Sequence, residues 1–317
     1  MFPKYTALLK THAIILSIVY DSLPILFLFF CFFLFIIICF IFQLPSSEEQ
    51  WKAIADEFDR RWNFPQCIGA LDRKQVVIQR PENTVGEFYN YKGTKSIILM
   101  ANVDVNYCFI YVNIGCQGHI SDSGVFRNTE FYRKLKNNLY LPQDEALPGR
   151  TIPVPYTIVD DDAFPLPRYM MKPYTTDLNK GSPKRVFNYG LSKARRIVEN
   201  VFELLMSVFR IFRKPTEIKV ESTVVDIVLT LYLHNFLRSQ PDSARHYSPQ
   251  GCFDNEDEST GKIIRGSWRE VTLSASGIRP LCLLPWNASR MVIQIRDEFM
   301  NYFLTAEGSI PYQNKYL

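Results

Sequence analysis

No CxxC pair occurs in this chain, and none of its four histidines stands at zinc-ligand spacing, so a zinc module is excluded. The seven cysteines (Cys31, Cys39, Cys67, Cys108, Cys116, Cys252 and Cys282) are scattered and odd in number. In a chain this long they read as reduced residues acting as small hydrophobes, which points to the cytosol or nucleus rather than a secreted disulfide framework. Charge of one sign is also scarce. Thirty-six Lys and Arg against 32 Asp and Glu leave +4, a balance that permits a nucleic-acid partner without demanding one. No internal repeat is present, which removes solenoids and propellers. What is there is ordinary for a folded protein: 47% hydrophobic and 21% charged residues over 317 positions, enough for one large domain or two small ones.

The longest gap in charge runs from Ser22 to Ser47, around the stretch LPILFLFFCFFLFIIICFIF. As a helix it is long enough to cross ~30 Å of hydrocarbon. Lys4 and Lys10 precede it and Glu48 and Glu49 follow it, so a true span would send the rest of the chain out of the cytoplasm. The same low-complexity Phe, Ile and Leu also read as the translation of a T-rich nucleotide tract. On either reading residues 1–43 stand apart from the fold that follows.

From Leu44 onward the pattern alternates. SSEEQWKAIADEF carries a Ser cap, early acids and apolar residues at helical spacing. β-branched runs at 67–79, 95–103 and 107–116 predict three consecutive strands, and YTIV at 156–159 a fourth. A capped helix is expected over 121–138, a Pro-rich loop over 141–155, and helices near 191–209, 217–238 and 288–304, with a polar acidic loop at 251–262. Strands followed by mixed strand and helix give an α/β or α+β domain.

Four carboxylate positions invite chemistry. Asp72 interrupts an apolar strand, where a buried charge needs a partner or faces solvent at a strand end. Asp122, taken alone, is a helix N-cap. Asp160, Asp161 and Asp162 close a strand, and the carboxyl ends of strands are where α/β sheets place ligands. Glu199 lies on a basic helix, one turn from Arg195 and Glu203, and by itself reads as a surface ion-pair member. Strand Asp, strand-end Asp and helix Glu in that order match the layout of two-metal phosphoryl-transfer sites.

The words around these residues are specific. WNFPQCIGALDRKQV, FYNYKGTKSIILMANVDVNYCFIYVNIG, SDSGVF, LPGRTIPVPYTIVDDDAFPL, MMKPY, RVFNYGLSKARRIVENVF, FRIFRKP, LHNFLRS and GSWR follow one another along the chain. They resemble the Harbinger transposase-derived nucleases, the PIF/Harbinger group of DDE superfamily endonucleases. The resemblance implies an α/β ribonuclease-H-like nuclease domain whose mixed sheet is flanked by helices and which follows the apolar N-terminal segment. It also implies a domain division into 1–43, a nuclease core over 44–240, and an acidic loop and helical extension over 241–317.

Carried over position by position, the family's metal ligands fall on Asp72, Asp122, Asp161 and Glu199, with Asp72, Asp161 and Glu199 as the catalytic set. The implied cofactor is Mg²⁺ or Mn²⁺, since hard cations prefer carboxylate oxygens. Four carboxylates without metal would be strained. Some positions depart from the family words. Arg73 and Gln75 replace the Gly and His of DGKH, Asp160 replaces a Gly, and Glu203 stands where ENAFG has Gly.

Lys184, Arg185, Lys193, Arg195, Arg196, Arg210, Arg213 and Lys214 crowd one region and are the expected DNA-backbone contacts. His234, in an apolar helix, is expected to be structural. The resemblance implies DNA as substrate and a separate Myb/SANT-like protein for site recognition. A homo-oligomer and a location in the nucleus or cytoplasm are also expected, with a membrane as the alternative through residues 22–47. A catalytically inactive DNA- or protein-binding module is the competing function.

Overall fold

Ser47 opens the first helix by accepting a hydrogen bond from the Gln50 N–H. In this helix, α1 (Glu48–Trp62), Trp51, Ala55, Phe58 and Trp62 recur every three or four residues and form its buried stripe. Asn63, in the left-handed region, ends it. The structure, a computed structural model, describes residues 44–79, 95–117, 129–137, 140–161, 167–257, 259–270, 278–280, 290–310 and 312–313. The chain divides after Gln43, and everything described belongs to the second unit, Leu44–Leu317. The expected apolar segment lies outside the described residues.

Three antiparallel strands follow α1: β1 (Cys67–Val77), β2 (Ser96–Val103) and β3 (Phe109–Gln117). The Asp104 carboxylate makes the turn between β2 and β3 by accepting from the Asn106 and Cys108 N–H groups, both at 2.8 Å. Next come α2 (Glu130–Lys136), β4 (Glu145–Ala146), β5 (Pro153–Val154), β6 (Thr157–Val159), β7 (Met170–Met171) and the long α3 (Pro183–Val208). The chain continues through α4 (Val220–Ser239), α5 (Pro241–Tyr247), β8 (Asn255–Glu256), β9 (Ile263–Ile264), β10 (Ile278–Pro280) and α6 (Arg290–Tyr302).

The main sheet has the order β3-β2-β1-β6-β7, with β10 antiparallel to the far half of β1. β6 and β7 run parallel to β1, so the sheet is mixed, as expected. Trp51 and Ala55 of α1 pack on one face with Ile68, Leu71, Ile98, Met100, Ile158 and Met170. The other face takes α3, whose Ile197, Val201, Phe202 and Leu205 are fully buried. Each such side chain contributes roughly 1.5–3 kcal/mol of hydrophobic stabilisation.

Helix α3 begins eight residues before the expected 191. Ser182 caps it and Pro183 occupies its first turn, and its buried stripe already begins at Val186 and Phe187, ahead of the apolar run from Leu191. The expected loop over 141–155 contains the β4–β5 pair, and the acidic loop contains β8 paired with β9. Of the helix expected over 121–138, the described part starts at the Thr129 cap.

Among the described residues α4 alone is long and apolar enough to cross a membrane. Two of its buried polar side chains, His234 and Asn235, show what it does in this fold. Asn235 donates to the Phe109 carbonyl (2.7 Å) and accepts from the Phe109 N–H (2.8 Å), pairing with strand β3 as another strand would. His234 bonds the Tyr107 carbonyl at 2.7 Å and the Tyr247 hydroxyl at 2.8 Å, the structural role expected of it.

Candidate active site

Side chains alternate across a strand. Because Leu71 points into the α1-side core, Asp72 and Lys74 point to the α3 side, where the Lys74 ammonium stands 5.6 Å from the Phe202 ring centre. Asp161 follows the end of β6, the strand parallel to β1. Glu199 projects from α3, one turn after Arg195 and one before Glu203. These residues line one cleft of about 350 Å³, with Arg73, Arg196, Asn200, Asp254, Trp268 and Arg269. Thus three of the four expected metal ligands, Asp72, Asp161 and Glu199, share a cleft. The fourth, Asp122, lies outside the described residues.

The cleft is lined by five acids and five bases and is formally neutral. Lys74 Nζ lies 2.9 Å from Asp72 Oδ2, an Arg73 guanidinium nitrogen 3.8 Å from Asp161 Oδ1, and an Arg195 nitrogen 3.4 Å from Glu199 Oε1. Asp254 accepts from Arg269 Nε at 3.0 Å and from the Gly266 N–H at 2.7 Å. The expected strain of a metal-free carboxylate cluster is therefore corrected: each expected ligand among the described residues already has a basic neighbour. Burial tends to lower the Lys74 ammonium, but the Asp72 carboxylate outweighs it and holds the pKa above the ordinary value. Burial raises the Glu199 and Glu203 carboxyls, with Arg195 and Lys74 respectively opposing it.

At Asp160 the balance fails, because Arg73 and Arg195 oppose its burial without offsetting it. It is 1% exposed, and among the described residues neither carboxylate oxygen has a hydrogen-bond partner. Burial, reinforced by Asp161, pushes its carboxyl well above the usual range. A raised folded pKa costs stability above the unfolded value and nothing below it. Asp160→Ala is thus expected to stabilise the metal-free protein at pH 8 by about 1–3 kcal/mol, or roughly 2–10 °C in melting temperature. The gain should vanish near pH 4. Equal melting temperatures at pH 8 would refute this account of Asp160.

The eight expected DNA-backbone cations do not form one face. Arg195 and Arg196 line the cleft, where Arg195 meets Glu199 and Arg196 meets the buried Glu256 at 3.1 Å. Lys184 is paired with Asp177 at 2.6 Å. Arg213 donates to the Met206 carbonyl at 2.9 Å and to the Ser207 carbonyl, closing the end of α3. Arg185 is half-buried in the first turn of α3, and Arg210 and Lys214 are exposed just beyond its end. Lys193 lines a different groove. Nearness in sequence does not become one surface because a helix turns 100° per residue and rises 1.5 Å.

The donor chemistry suits a hard divalent cation, since Asp72, Asp161 and Glu199 offer only oxygens. Among the described residues no three His, Cys, Asp or Glu side chains converge closely enough to hold one ion. An incoming metal would therefore have to displace Lys74, Arg73 or Arg195.

Asp254, Trp268 and Arg269 were not anticipated as lining residues. Arg269 stacks on Trp268 with 4.3 Å between guanidinium carbon and ring centre. A Cβ at Gly266 would lie 2.2 Å from the Cys252 carbonyl oxygen, so glycine lets the segment close here. The word GSWR was the available signal. Its place on the cleft wall depends on a tertiary contact, the two 3.0 Å hydrogen bonds between Asn200 and the Asp254 backbone.

Comparison with known proteins gives a family match over residues 71–235, to the DDE superfamily endonucleases. The stretch spans just over half of the chain and includes all four expected ligand positions. Among curated proteins the chain is 27% identical over 172 residues to "Protein ALP1-like" of Arabidopsis thaliana, covering 53% of this chain and 41% of that protein. It is 22% identical over 168 residues to "Putative nuclease HARBI1" of Homo sapiens, covering 53% and 44%. The chain thus matches less than half the length of these relatives. No solved structure matches significantly.

Proposed function

The chain belongs to the DDE superfamily endonucleases, and from that premise we propose that it is a metal-dependent DNA endonuclease of the Harbinger type. One observation carries the reading: Asp72, Asp161 and Glu199 line a single cleft within the family-matched stretch. The strand order β3-β2-β1-β6-β7, with three antiparallel strands and then two parallel ones, supports a ribonuclease-H-like domain.

Asp72, Asp161 and Glu199, with Asp122, would hold Mg²⁺ or Mn²⁺. Such ions activate a water and stabilise the leaving 3′ oxygen of an in-line displacement. The protein's own cations act on the phosphate. Lys74 and Arg195 sit on the carboxylates and, once displaced, can turn to the phosphodiester oxygens. Arg269, half-exposed in the cleft lining beside Asp254, contributes a planar donor that suits phosphate geometry. The same reading carries DNA as substrate, the nucleus as compartment, a Myb/SANT-like protein as the source of site recognition, and self-association of the chain.

Nicking of supercoiled plasmid by the purified full chain tests this. Nicking is expected with Mg²⁺ or Mn²⁺ and not in EDTA. The second reading, an inactive binding module, is favoured by the basic neighbours already paired with the three carboxylates. It predicts DNA retention in a mobility assay with no nicking in any metal, and that outcome would overturn the enzymatic reading.

A further inference from the structure

A second groove, of about 910 Å³, lies beside the cleft. Its basic residues are Arg60 and Arg61 from the last turn of α1, Lys193 from α3 and Arg238 from the last turn of α4. Two acids line it, Asp59 and Glu256, and Glu256 is 3% exposed and already paired with Arg196. Arg60 and Arg61 share the single carboxylate of Glu57, at 2.7 and 2.9 Å. Arg238 stands 5.4 Å from the Tyr107 ring centre and 5.6 Å from that of Phe253, and these rings are stacked at 4.1 Å. Its guanidinium donates to the Asn106 carbonyl and the Ser248 hydroxyl, and among the described residues no carboxylate pairs with it.

The two hollows share one wall. Asp254 lines the cleft while Asn255 and Glu256 line the groove, and Asn200 fixes this strip to α3. The cleft is formally neutral. The groove carries four bases against two acids, one of them already paired with Arg196, and it keeps a positive excess after Glu57 offsets one charge of the Arg60–Arg61 pair. A polyanion therefore gains more in the groove than in the cleft, and a strand lying there leads over the strip to Asp72 and Glu199.

We propose that this groove, through Arg60, Arg61, Lys193 and Arg238, holds the phosphate backbone of the DNA flanking the scissile bond. The proposal rests on the endonuclease reading. It moves the main phosphate contacts from the eight basic residues expected around α3 to a surface that keeps only Lys193 of them.

Fluorescence anisotropy of a labelled 30-base-pair duplex with the full chain in EDTA, across a salt series, tests it. Each lost phosphate contact lowers the slope of log affinity against log salt by about 1. Arg60→Gln/Arg61→Gln should lower it by about 2 and weaken binding at low salt about tenfold or more. Among the described residues Arg60 and Arg61 are exposed and tied only to Glu57, so the fold should persist, which circular dichroism checks. Lys193→Gln should lower the slope by about 1, and Lys134→Gln on α2 should match wild type. Unchanged slopes in the groove variants beside normal wild-type binding would refute the groove alone. No duplex binding by wild type at any salt would refute the endonuclease reading beneath it. Retention of a polyglutamate peptide that the variants lose, with unchanged DNA slopes, would assign the groove to an acidic protein and overturn the proposal.

Discussion

Asp161→Ala is expected to lower Mg²⁺-dependent plasmid nicking by more than about 100-fold, while Asp160→Ala leaves it largely intact. The two are neighbours, but their surroundings separate them. Asp161 is partly open and lines the cleft with Asp72 and Glu199, whereas Asp160 is buried and absent from that lining. Loss of an outer-shell partner of a metal ligand typically costs 10–100-fold, so loss of a ligand should cost more. Asp72→Ala should be equally inactive for the same reason.

Stability should separate these two inactive variants. Asp72 and Lys74 are both mostly buried, at 6% and 17% side-chain exposure, and removing Asp72 leaves the ammonium without its closest anion. Breaking a buried pair costs on the order of 3 kcal/mol, so Asp72→Ala should melt lower than wild type rather than higher. Rate assays in Mg²⁺ and thermal melts in EDTA of both variants make the comparison. Nicking by Asp161→Ala at the parental rate, with Asp160→Ala inactive, would reverse the assignment within the Asp triplet.

Much of this site was legible because its residues sit inside words with strong local grammar. A strand period of two puts Asp72 and Lys74 together on the face opposite Leu71, and a helical period puts Arg195, Glu199 and Glu203 on one side of α3. What stayed hidden depends on contacts between distant segments. That Arg73 reaches Asp161 follows from β6 lying beside β1, a parallel pairing no local pattern encodes. The cleft wall at Asp254 and Arg269 follows from Asn200 holding a loop more than 50 residues away. The short strands β7 and β10, of two and three residues, have no room to display a period. The basic cluster around α3 misled for the converse reason. Its members are close in sequence, but they point to different partners: Arg196 to Glu256 some 60 residues on, Lys184 back to Asp177 ahead of the helix, and Arg195 to Glu199 in the cleft.

His234 should make the fold acid-sensitive, and His234→Gln should remove that sensitivity. Burial lowers the imidazole to about 4, against an ordinary value near 6.5, because a fully enclosed ring cannot hold its charge. The folded state then binds fewer protons than the unfolded chain between those values. Stability from this residue is complete above about pH 6.5 and is lost as pH falls toward 4, by on the order of 3 kcal/mol. The variant cannot titrate. It should start lower at pH 7, by about 1–3 kcal/mol for the hydrogen bonds to Tyr107 and Tyr247, and then show a flatter profile. Asp104, held near 6 by burial, contributes with the opposite sign. The quantity to read is therefore the difference between wild type and variant in urea denaturation from pH 7 to 4. A constant difference across that range would show that His234 carries no proton linkage, and a loss of nicking by a folded variant at pH 7 would show that its role is not structural alone.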